Sequence, residues 1–106
     1  MRILAGVMAA AIAATAAQAQ TTRVDDTTFL KGARCAGLAS SPKLGSADAK
    51  ALAAWVKAQS RGRAGYLMDR ADTVRSDARR EADDAVDFQR AKLTAELNGA
   101  CAAFKG

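Results

Sequence analysis

The chain has 106 residues, with 16 Lys or Arg, 11 Asp or Glu, two Cys and no His. The missing imidazole removes the usual general base, one arm of a hydrolytic triad and the commonest transition-metal ligand. A formal charge of +5 is mild, and this length allows one domain with a modest core.

The chain opens MRILAGVMAAAIAATAAQAQ. Arg2 supplies a short positive n-region, Ile3 to Ala16 are uncharged, and Ala17-Gln18-Ala19 is a small-x-small pattern of the kind signal peptidase cuts after. The uncharged stretch would rise only about 21 Å as a helix, short of a hydrocarbon core of roughly 30 Å. Residues 1–19 are therefore expected to be a cleaved signal peptide, and 20–106 a single helical domain of the periplasm, with the extracellular space as the lesser alternative. No Cys follows the expected cut, so lipid attachment there is unsupported. The leader holds one basic and no acidic residue, which leaves 15 against 11 and a charge of +4 on the remainder.

Polar residues from Gln20 to Val24 precede Asp25, Asp26, Thr27 and Thr28, which can cap a helix and place acidic groups at its positive end. A first helix over 27–39 follows, with Phe29, Ala33, Cys35, Ala36 and Leu38 forming a broad apolar side. Gly32 and Gly37 weaken it but permit a neighbour to approach closely. Pro42 and Gly45 make SSPKLGS a loop. Ser46 can cap a second helix with Asp48 in its first turn, and Ala51, Leu52, Trp55, Val56 and Ala58 recur at helical spacing. Gly62 and Gly65 mark the corner after it.

From Tyr66 to Leu97 there is neither Gly nor Pro. Leu67, Ala71, Val74, Ala78 and Ala85 make one stripe, and Val86, Leu93, Leu97 and Phe104 continue it with a phase shift. This pattern fits one long helix of about 48 Å, or two helices meeting near Glu81 to Val86. The single helix is slightly preferred, because nothing in the sequence breaks it. Asn98-Gly99 then stops or bends the chain before a short terminal turn containing Cys101 and Phe104.

Both cysteines lie after the leader, and an oxidising compartment favours their pairing. A Cys35–Cys101 bridge would close most of the chain into one loop and contribute about 4 kcal/mol by loop-closure entropy. Intermolecular pairing or two free thiols are the alternatives. The spacing is not that of a C-x-x-C exchange motif. The expected fold is all-α, a small disulfide-stapled helical bundle or long helical hairpin of three to four helices. Its expected core is Phe29, Leu38, Leu52, Trp55, Val56, Leu67, Val74, Val86, Phe88, Leu93, Leu97 and Phe104.

Candidate chemistry is sparse. No Gly-rich phosphate loop or nucleophile elbow occurs, and no catalytic residue, cofactor or metal site is expected. Glu81, Asp83, Asp84 and Asp87 form the densest acidic group, but an oxygen-rich cation loop is missing. Arg79 and Arg80 precede Asp83 and Asp84 by one helical turn, the spacing of a solvated, ion-paired face. Arg61, Arg63 and Arg70 with Tyr66, beside Trp55, make a candidate interaction patch. In an exported protein its partner would be an anionic lipid or envelope surface, or an acidic protein, rather than nucleic acid.

The segment FLKGARCAGL, with a second cysteine near the C-terminus, resembles two groups of small periplasmic helical proteins. These are HdeA-like acid-stress chaperones and the disulfide-bonded immunity proteins that neutralise amidase toxins of type VI secretion. In both groups an early-helix cysteine bonds to one near the chain end. The likeness covers that frame and that one segment, whereas the long stretch from Tyr66 to Leu97 departs from both, so no membership is assigned. The leading functional expectation is a non-enzymatic protein that binds or inhibits another periplasmic protein. The alternatives are a periplasmic stress chaperone and an envelope-associated structural protein. Self-association through the Leu67 to Phe88 stripe is a further expectation.

Overall fold

A computed structural model describes residues 22–105. The expected leader, residues 1–19, lies outside them. Among the described residues are four α-helices and two 3-10 turns: α1 (Asp26–Ala39), α2 (Ala49–Ser60), α3 (Gly65–Asp84) and α4 (Asp87–Asn98), with turns at Pro42–Leu44 and Ala100–Phe104. The described residues contain no strand, and the all-α, disulfide-stapled bundle is the fold observed.

α1 starts where Asp25 accepts a hydrogen bond from the Thr28 backbone N–H at 2.8 Å. That bond holds the Asp25 carboxyl below its ordinary value, since it favours the charged form. α1 stops before Pro42, which forces Ser41 into the extended region at φ −83°, ψ 128°. Ser46 does not cap α2 as its type suggests. It sits at φ 56° and donates its hydroxyl to the Ser41 carbonyl, while Asp48 occupies the cap position without a side-chain cap bond. The Asp48 carboxylate instead pairs with Lys105 at 2.9 Å, which ties the chain end to the start of α2.

α1 is the axis of the bundle. α2 returns antiparallel to it: Gln59 reaches Val24, and Trp55 packs on Phe29 with ring centroids 6.5 Å apart. α3 runs parallel to α1, with Gly37 against Arg75 and Ala78, and Ser41 donating to Asp83 at 2.5 Å. Both helical glycines of α1 serve as seats. A Cβ on Gly32 would overlap the Trp55 ring, and one on Gly37 would overlap the Arg75 carbonyl.

The preferred single helix from Tyr66 to Leu97 is overturned, and the alternative of two helices meeting near Glu81 to Val86 is what forms. Ala85 and Val86 are extended, at ψ 133° and 172°, and separate α3 from α4. The cause is tertiary rather than local. Ser41 fixes Asp83 beside the end of α1, yet Cys101 must lie 5.7 Å from Cys35, Cα to Cα. A straight helix would carry Cys101 about 27 Å beyond α1 instead. The reversal at 85–86 lets α4 run back along α1 and buries Leu93 and Leu97.

Phe29, Leu38, Leu52, Val56, Leu67, Leu93 and Leu97 are buried as expected, and Trp55, Val74 and Phe104 pack partly buried against them. Val86 and Phe88 are not in the core, at 64% and 70% exposure. The corner turns both outward once the helix is broken.

Candidate interaction surface

Among the described residues the fold leaves three large hydrophobic side chains exposed, Tyr66, Val86 and Phe88, the last two only two positions apart in the chain. Val86 occupies the cap position of α4 and Phe88 lies in its first turn. Lys92, one turn further on, sets its ammonium 5.7 Å from the Phe88 ring centroid. Asp84 precedes the pair and Asp87 separates them, both exposed. Arg90 folds back onto the corner, donating to the Ala85 carbonyl at 3.4 Å with its Nη1 3.9 Å from Asp87.

This corner is braced from behind. Ala85 is buried, and Ser41, itself fully buried, holds Asp83 just before it. Arg34 of α1 forks to both helices that meet there. Its Nε and Nη2 bind the two oxygens of Glu96 on α4 at 2.8 and 3.0 Å, and its Nη1 binds Glu81 on α3 at 2.9 Å. These bonds favour the charged guanidinium and raise its pKa further above the physiological range. The acidic residues singled out in the sequence thus divide by role. Asp83 and Glu81 hold the corner, whereas Asp84 and Asp87 flank its apolar tip. Among the described residues no group of three or more His, Cys, Asp or Glu is arranged to hold a metal.

Of the basic patch read from the sequence, the fold withdraws Arg63, while Tyr66 and Arg70 stay exposed one turn apart on α3. Arg61 and Arg70 are exposed, and Tyr66 stands 74% exposed at the opposite end of α3 from Phe88. The Arg63 side chain is only 3% exposed. Its guanidinium donates to the Gln59 and Val24 carbonyls and to Asp26, at 2.6 to 2.7 Å, and lies 4.5 Å over the Phe29 ring. It joins the arm before α1 to the end of α2 and is a structural strut. Arg63→Ala should destabilise by about 2 kcal/mol, less than a fully buried pair, because Asp26 keeps its access to water. Arg61→Ala and Arg70→Ala should each stay within about 0.5 kcal/mol. Urea unfolding of the three variants checks this division.

Sequence reasoning missed Val86 and Phe88 as surface residues because it assigned both, as large apolar side chains of a helical stretch, to the core. The available signal was the charge around them: Asp87 lies between Val86 and Phe88, with Asp83 and Asp84 just before, a poor setting for two buried side chains. Compared with protein-family models, curated proteins and solved structures, the chain gives no significant match to any.

Proposed function

We propose that this is a non-enzymatic, exported binding protein, which engages another periplasmic protein through the Val86–Phe88 corner. The observation that carries this reading is two large apolar side chains, two residues apart, both exposed on a braced turn. Aromatic side chains, Phe among them, are enriched in protein–protein interfaces relative to the rest of the surface. Asp84 and Asp87 beside them favour a partner whose apolar pocket has a basic rim. The buried disulfide fits folding in an oxidising compartment. None of the described residues form a helix long and apolar enough to cross a membrane. Leu67, Ala71, Ala78 and Ala85 of the stripe read from the sequence are buried within the chain itself, whereas Val86 and Phe88 remain exposed, which favours the corner as the contact surface.

Burying Phe88 would contribute about 1.5–3 kcal/mol to a complex. In affinity capture from periplasmic extract, the oxidised protein should recover one stoichiometric partner. Phe88→Ser should weaken that complex at least ten-fold with little change in melting temperature, because the ring is 70% exposed and its one aromatic contact is the exposed Lys92 ammonium. Recovery of no partner, or a complex indifferent to Phe88→Ser, would reject the proposal.

A further inference from the structure

A second feature lies away from the corner. A cleft of about 390 Å³ opens beside the disulfide, lined by Lys31, Arg34 and Cys35 of α1, Glu96 of α4, and Ala100 and Phe104 of the last turn. The volume is at the lower end of those that take small molecules. Its apolar lining is the Phe104 ring, the Cys35 side of the bridge and, at an exposed edge, the Ala100 methyl. The position of that lining is fixed three times, by the disulfide, by Phe104 against Trp55 at 4.7 Å between centroids, and by Lys105 on Asp48.

The charges at the rim are unequal in what they can offer. Arg34 has spent its fork on Glu96 and Glu81. Glu96 has both oxygens on Arg34. Lys31 is exposed and makes no ion pair among the described residues. Of the three charged lining residues two therefore neutralise each other, and one ammonium is left at the mouth of an apolar slot.

We propose that this cleft binds a monomeric linear amphiphile with a single anionic headgroup, such as an alkyl carboxylate. Its tail lies against Phe104 and the Cys35–Cys101 bridge, and its headgroup sits on Lys31. The site is separate from the Val86–Phe88 corner and does not depend on it. The chain also carries its own reporter, since its single Trp packs directly on the Phe104 ring that lines the cleft.

The oxidised protein should be titrated calorimetrically with decanoate below its micelle-forming concentration, with Trp55 emission followed in parallel. Decanoate should give one saturable site with a matching change in emission, and decylammonium should bind at least ten-fold more weakly. Lys31→Glu should weaken decanoate binding ten-fold or more. Ala100→Leu, which fills the slot from an exposed position, should abolish it while leaving the far-UV circular dichroism unchanged. No saturable heat, heat without an emission change, equal affinity for decylammonium, or binding that survives Ala100→Leu would each overturn the assignment.

Discussion

Replacing both cysteines by alanine is expected to lower the stability of this protein by about 4 kcal/mol. The bridge joins positions separated by 66 in sequence, and an open chain regains the loop entropy that it removes from the unfolded state. A domain of this size has a total stability of roughly 4–13 kcal/mol, so the loss is a large fraction of the whole. The melting temperature should fall by about 20 °C. Cys35 and Cys101 are 3% and 0% exposed, so the double serine variant should fare worse than the double alanine one, by about 1 kcal/mol for each hydroxyl left without a partner. The last turn is reached first by this change. Without the bridge its main side-chain anchors are Phe104 on Trp55 and Lys105 on Asp48, and Trp55 emission should shift to the red before the helical signal declines. Urea unfolding followed by both signals checks the prediction. Coincident transitions, or a loss below about 1 kcal/mol, would show that the last turn holds without its staple.

Much of the architecture can be read from short stretches of sequence, because local chemistry decides those stretches. Asp25 caps α1, Pro42 ends the region that follows it, and the Gly62 corner, at φ 75°, separates α2 from α3. The cysteine pairing follows from two cysteines in an expected exported chain, and the two α1 glycines do seat neighbours. The phase shift in the stripe left a break near Glu81 to Val86 open, but none of this local chemistry decides between one helix and two. Alanine, valine and aspartate there are compatible with a continuing helix, and the break is imposed by two distant contacts, Ser41 on Asp83 and Cys35 on Cys101. Combining the expected bridge with the helix length would have exposed the conflict, since a straight rod of that length cannot return its end to the first helix. The interaction surface was lost with the same error, because only the reversal turns Val86 and Phe88 outward. Arg63 failed for a related reason. Its burial depends on Val24, Asp26 and Gln59 converging from other elements, and no run of residues around Arg63 announces them.

A close backbone approach in the bundle predicts a loss of comparable size. Gly37→Ala should cost about 3 kcal/mol, and Gly37→Leu should leave the oxidised protein without a cooperative unfolding transition at room temperature. An added Cβ at Gly37 would overlap the Arg75 carbonyl oxygen and lie 2.9 Å from the Ala78 Cβ. Neither can turn away, since one is helix backbone and the other is a side chain with no rotamer to change. Relief requires α3 to move off α1 as a body, against the small-residue contact that Ala71, Ala78 and Ala82 make possible. That movement would strain the Ser41–Asp83 hydrogen bond and the Arg34–Glu81 pair together, so the corner at 85–86 should loosen with it. Gly32→Ala makes an informative contrast. Its added methyl would meet the Trp55 ring, which can swing where backbone cannot, and its cost should be smaller than that of Gly37→Ala. Thermal unfolding of the two alanine variants orders them. If Gly32→Ala proved the more damaging, the α1–α2 face rather than the α1–α3 face would be the tighter joint of the bundle.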